Sequence, residues 1–172
     1  MTSPLDNGNR WAALGVAVFA LGCLDLALGE GPRSAPALVN ESASLPRGLY
    51  LRRPRAAPAL GTVVAVAAPL RVRRYLADLG APPEALLLKR VAAHGGDRVC
   101  RIGGRVVTPM RTVSARAHDR RGAALPVWSG CRTLATGELF LLGDTAASFD
   151  SRYFGAIDRA AVTGVYTEVA RW

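Results

Sequence analysis

Residues 86–92 read Leu86-Leu87-Leu88-Lys89-Arg90-Val91-Ala92, and residues 62–67 read Thr62-Val63-Val64-Ala65-Val66-Ala67. The second is strand-like and the first is a mostly apolar run holding Lys89 and Arg90, and both belong to a pattern of short strands separated by Gly and Pro. Working outward from them, strand-like stretches recur at 48–52, 98–102, 105–108, 139–142 and 162–169. Only 70–79 (LRVRRYLADL) has helical spacing, with Leu70, Tyr75, Leu76 and Leu79 broadly on one side and Arg71, Arg73, Arg74 and Asp78 elsewhere. Many short strands and one short helix predict a mainly β, compact antiparallel domain, partly barrel-like. Residues 54–58 and 108–126 read as loops, the second long, Arg-rich and the natural place for mobility.

The 172 residues are enough for one domain with its own core. Half of them are apolar and three are cysteines, which excludes a disordered tail and a disulfide-dense miniprotein. Residues 11–29 (WAALGVAVFALGCLDLALG) form one apolar run whose only charge is Asp25. At a helical rise of about 1.5 Å such a run reaches across a bilayer core, and it is long for the apolar region of a cleaved signal peptide. The chain therefore divides into an N-terminal tail (1–10), a transmembrane anchor that is a possible signal sequence (11–29), and a folded domain (30–172). Up to residue 30, Arg10 stands against Asp6, Asp25 and Glu30, so the formal +9 leaves +11 on the remainder. A basic domain beside an anchor suits anionic lipid or nucleic acid. No helix-turn-helix pattern, zinc spacing or aromatic-interleaved basic stretch supports a nucleic-acid partner. With no CxxC pair and no clustered His, no metal or other cofactor is expected.

The basic residues are 21 Arg and a single Lys, Lys89. A codon preference explains abundant Arg, but it does not explain why one amine remains. Arg keeps its proton, whereas a buried Lys can lose it and act as a base. A serine nucleophile needs such a base, and the histidines are poor candidates: His118 sits in an Arg-rich loop and His94 precedes a Gly-Gly turn. Lys89 follows three leucines, and burial can bring an amine from about 10.4 towards 7 or 8. In a strand Lys89 and Arg90 point to opposite faces, so Arg90 is expected to engage something else. Cys100 and Cys131 suit a disulfide if the domain is extracytoplasmic, and two buried free thiols otherwise.

Three segments hold the remaining polar chemistry: Ser42-Ala43-Ser44-Leu45-Pro46-Arg47-Gly48-Leu49-Tyr50; Lys89-Arg90-Val91 followed by Gly96-Asp97-Arg98-Val99; and Gly143-Asp144 followed by Ser148-Phe149-Asp150-Ser151-Arg152-Tyr153-Phe154-Gly155. An anchor, then SxSxxP, then KR with a downstream GDxV, then GD with SxDSRxxG, in that order across residues 42–155, resembles the serine-lysine signal peptidase superfamily. The PRGLY continuation and the SFDSRYFG spelling resemble its TraF-type members from conjugative transfer systems. Two departures point the same way: Leu45 stands where housekeeping leader peptidases commonly have Met, and Thr145-Ala146-Ala147 stands where many have Asn-Arg.

The resemblance implies a signal-peptidase-like fold with Ser44 as nucleophile and Lys89 as general base. It places Ser42 with the Ser44 backbone N–H in an oxyanion hole, and Ser148 as the residue that orients the amine. Asp150 and Arg152 match an ionic cluster to which Arg90 contributes, read here as scaffold, because a carboxylate beside the amine would favour its charged form. The implied activity is a membrane-anchored serine endopeptidase removing leader peptides from exported proteins, a conjugative pilin precursor first among them. Other transfer-system components are implied as partners, and the implied location is the bacterial inner membrane, single-pass, with the catalytic domain on the periplasmic side. The alternatives are a general signal peptidase with broad secretory substrates and a catalytically silent anchored module of a transfer or secretion machine.

Overall fold

Largely apolar strands need cover on both sides, and residues 62–67 and 86–92 lie side by side in the interior of a sheet. In a computed structural model, which describes residues 34–172, strand β3 (Val63–Ala67) pairs antiparallel with β4 (Leu86–His94). The expected tail and anchor lie outside the described residues. Among the described residues, no helix is long and apolar enough to cross a membrane.

Strands β1 (Ala37–Asn40), β2 (Gly48–Arg52), β9 (Glu138–Leu142), β10 (Ile157–Asp158) and β11 (Val162–Arg171) complete a seven-stranded sheet in the order β1-β2-β11-β3-β4-β9-β10. A second sheet of four strands runs β7 (Thr112–Ser114), β6 (Arg105–Val107), β5 (Arg98–Ile102), β8 (Gly130–Thr133). Every strand pair is antiparallel, and both sheets are open, so the barrel-like expectation gives way to two sheets. The pleat divides the core. Val64, Val66 and Val91 pack with Leu139, Leu141 and Phe154 on one side, while Val63, Ala65 and Leu88 pack with Leu45, Tyr50 and Tyr166 on the other. Ala92, Ala93, Phe140 and Leu142 join β5 and β6 through Val99 and Val106 in a third cluster.

Helix α1 (Leu70–Asp78) follows Pro69 and buries Val72, with Leu76 one turn on partly covered. Leu70, expected on the apolar side, is 79% exposed, because the buried stripe starts at Val72. The 108–126 stretch expected as loop contains β7 and a bridge between His118 and Ala124. Val113 and Ala115 there lean on the third cluster, which is why three residues suffice for a strand. The short helix α2 (Ser151–Phe154), capped by the Asp150 side chain, was not anticipated.

Candidate active site

The turn between β1 and β2 carries Ser42 and Ser44, and Asn40 holds it from inside. The Asn40 side chain is 5% exposed. Its Nδ2 donates to the carbonyls of Ser42, Leu45 and Pro46, each at 3.0 Å. Its Oδ1 accepts from the Ser42 N–H at 3.2 Å and from Ser42 Oγ at 2.8 Å. Three carbonyls can only accept, so the two ends of the amide are assigned unambiguously. Leu45 beside it is buried against Tyr50 and Leu88, and the Tyr50 hydroxyl donates to Pro46 O at 2.9 Å.

Strand β4 delivers the amine. Lys89 stands opposite Val64 and Arg90 opposite Val63 in the register, so the two side chains leave opposite faces. Lys89 is 4% exposed, and its Nζ donates to Ser44 Oγ and to Leu88 O, both at 2.9 Å. Burial pushes the amine down to about 8. The Asp150 charge pulls it the other way, and Arg152 pushes it down again. Ser42 Oγ and Ser44 Oγ are 2.7 Å apart. Since the Ser42 proton is committed to Asn40 Oδ1, Ser44 supplies the proton between the two hydroxyls. The chain thus has one direction: Lys89 to Ser44 to Ser42 to Asn40.

The connection from β9 to α2 closes the site. A Cβ on Gly143 would lie 2.1 Å from Ser148 Oγ and 2.7 Å from Ser44 O, so only glycine fits between them. The next residue, Asp144, donates its N–H to Ser44 O at 2.6 Å. Ser148 lines the same cavity as Ser42, Ser44 and Lys89. Its Oγ is buried without a hydrogen-bond partner. In this state the amine's bonds go to Ser44 and to the Leu88 carbonyl rather than to the expected Ser148 hydroxyl.

Arg90 is not part of the Asp150–Arg152 cluster. It sits on the other face of β4, where it grips Asp144 through Nε at 3.1 Å and Nη2 at 2.9 Å, and donates to Gly61 O at 2.8 Å. The bond from Arg90, against some burial, holds the Asp144 carboxyl below its usual range. Asp150 and Arg152 form a buried pair, 0% and 1% exposed. Arg152 Nε and Nη2 each reach an Asp150 oxygen at 2.8 Å, and the guanidinium also donates to Ser114 O at 3.1 Å and to Thr145 O and Ser148 O at 2.9 Å. Asp150 Oδ2 accepts from the Gly143 N–H at 2.8 Å. One ion pair therefore ties α2, β7 and the Gly143 loop together.

Cys100 and Cys131, opposite each other on β5 and β8, are joined by a disulfide. His94 turns to Gly95 and Asp97 at the far end of β4, and His118 lines an adjoining cavity, so neither ring bonds Ser44. Among the described residues no three His, Cys, Asp or Glu are grouped as a metal would need. Sequence reasoning passed over Asn40 and the Asp144–Arg90 link. An Asn at a strand end reads as an ordinary turn residue, and partners 54 positions apart leave no local mark.

The family described as "Signal peptidase, peptidase S26" matches residues 15–172, and the chain belongs to it. It is 32% identical over 154 residues to a plasmid transfer protein TraF of Escherichia coli, covering 80% of this chain and 85% of that one. It is 36% identical over 142 residues to the conjugal transfer protein TraF of Agrobacterium fabrum, covering 74% and 78% respectively. These relatives agree with the TraF-type resemblance drawn from SFDSRYFG. A crystal structure of a signal peptidase I from Enterococcus faecalis aligns at a TM-score of 0.40 and 21% identity, covering 65% of this chain and 98% of that one.

Proposed function

We propose that this protein is a serine endopeptidase that removes leader peptides from exported precursors, with a conjugative pilin precursor as its favoured substrate, Ser44 as nucleophile and Lys89 as general base. The observation that carries the reading is the 2.9 Å contact between Lys89 Nζ and Ser44 Oγ, made by an amine that burial has brought down to about 8. A base poised near the working pH is what proton abstraction from a hydroxyl asks for.

In the proposed cycle the Ser44 Oγ–H turns from Ser42 Oγ to the lone pair of the neutral Lys89 amine, which takes the proton as Oγ bonds to the scissile carbonyl carbon. The resulting oxyanion accepts from the Ser44 backbone N–H and from Ser42 Oγ–H, which turns away from Asn40 Oδ1 to do so. As the C–N bond breaks, Lys89 returns the proton to the leaving amine. Water then attacks the acyl ester, giving its proton to Lys89, and Ser44 leaves with a proton restored. The substrate lies extended along β1, the edge strand whose Val39 and Asn40 line a cavity of about 620 Å³ with Leu86–Leu88. Main-chain pairing supplies affinity, and small side chains enter the shallow pockets. We further propose that residues 11–29 anchor the domain on the periplasmic side of the inner membrane among other transfer-system components, a placement supported by the Cys100–Cys131 disulfide.

The test compares cleavage of a pilin precursor and of an ordinary secretory preprotein by the full chain, by Ser44→Ala and by Lys89→Arg. The pilin precursor should be cut by the unaltered chain only, since Arg keeps the charge but supplies no free amine. Equal cutting of both precursors would replace the pilin preference with a broad one. Undiminished maturation by both variants would leave a silent module and end the peptidase reading.

A further inference from the structure

A second cavity, of about 510 Å³, adjoins the Ser44–Lys89 cavity and shares Ala43, Ala147, Ser148 and Phe149 with it. Its floor is aromatic: Phe149 packs on Tyr75 with centroids 4.8 Å apart and stacks on Tyr153 at 5.5 Å. Its rim is cationic, with Arg116, Arg120 and Arg121 all exposed around it. The acid that faces the same space, Asp119, keeps its charge and offsets one of these cations, Arg121 beside it, but both of its oxygens are hydrogen-bonded. Its Oδ1 accepts from the N–H groups of Arg121 and Ala123 at 2.8 and 2.9 Å, and its Oδ2 from the Tyr75 hydroxyl at 3.1 Å. Arg121 spends one N–H on the Asp78 carbonyl at 3.0 Å, which leaves its charge in place. Among the described residues, no ion pair joins Arg116, Arg120 or Arg121 to a carboxylate. Three guanidiniums thus face a concave space with donors to spare, and guanidinium is the group that best fits a carboxylate.

We infer that this second cavity is a subsite for an acidic side chain of the substrate peptide, a few residues from the bond that is cut. The inference rests on the peptidase reading, because the walls shared between the cavities let one extended peptide reach both. A concave pocket with an aromatic floor suits a side chain better than it suits a planar lipid surface. The rim excludes Lys and Arg at that position by like-charge repulsion, so it acts on choice of substrate as much as on strength of binding.

The experiment uses the full chain and a family of peptides in which one position at a time, on both sides of the cut, is Asp, Ala or Lys. At one position on one side, kcat/KM should fall about tenfold from Asp to Ala and again from Ala to Lys, chiefly through KM, and the spread should shrink at high salt. Arg116→Gln with Arg120→Gln should flatten that preference while leaving cleavage of the Ala peptide unchanged. Binding of the same peptides to the Ser44→Ala chain separates the two readings. Charge-selective binding without cleavage by the unaltered chain keeps the subsite and removes the peptidase. Cleavage with equal rates for Asp, Ala and Lys at every position removes the subsite alone, and loss of both cleavage and selective binding removes both. If the Arg substitutions alter only retention of the full chain on anionic over neutral vesicles, the rim serves lipid headgroups and the subsite is overturned.

Discussion

Lys89 is destabilising where it stands, and the sign of that effect can be followed through pH. Its amine is brought from 10.5 to about 8 in the fold. Between those values the unfolded chain still holds the proton that the folded chain has released, so stability rises with pH there. Below about 8 the full cost of burying the ammonium is present, about 3 kcal/mol at 1.36 kcal/mol per pH unit. Lys89→Met should therefore be more stable than the native chain by up to that amount at pH 7, with the gain shrinking towards pH 10 in urea unfolding, while activity is abolished. The native kcat/KM should fall on the acid side of about 8 as the amine is protonated. Asn40 works the other way. Asn40→Ala orphans three carbonyls of the Ser42–Pro46 turn and should cost about 2 kcal/mol in the same unfolding experiment, with a fall in kcat. Asn40→Asp should be worse, since it turns a carboxylate towards those carbonyls. The Lys-in-an-apolar-strand signal was legible because it depends on neighbours in sequence, whereas the support from Asn40 is a cage closed only when the turn forms.

At the scale of elements, the runs at 48–52, 62–67, 86–92 and 98–102 were readable from their apolar pattern to within a residue or two at each end. Strands β8 and β10 were not: GCRT is exposed throughout and ID is two residues, and both exist because a longer partner offers its edge. The β9–α2 connection was legible as a motif, but its logic is steric. Gly143→Ala would drive a methyl into Ser148 and the Ser44 carbonyl, and overpacking of this kind costs about 1–3 kcal/mol. Thermal unfolding should show that loss, together with a drop in kcat as Ser44 is displaced. The two acids of this region should differ sharply. Asp150→Ala strands a buried guanidinium and should cost about 3–5 kcal/mol. Asp144→Ala breaks a pair about one-third exposed and should cost under about 1 kcal/mol.

For the whole molecule, the disulfide is the staple of the smaller sheet. It closes a loop of 31 residues, which by chain entropy contributes about 3–4 kcal/mol. Cys100→Ser with Cys131→Ser should lower the unfolding midpoint accordingly, and reductant should have the same effect on the native chain and none on the double variant. The sheet order carries a separate consequence. β11 lies between β2 and β3, so the strands next to Ser44 pair with the strands bearing Lys89 only through the last of the eleven described strands in chain order. Pairings this distant in sequence form slowly, and none of them is available to a chain still short of Val162. Until that strand is made, the contact between Ser44 and Lys89 has no continuous sheet to hold it. A chain truncated before Val162 should accordingly show no cleavage in the precursor assay, its reactive groups being framed only when the joining strand arrives.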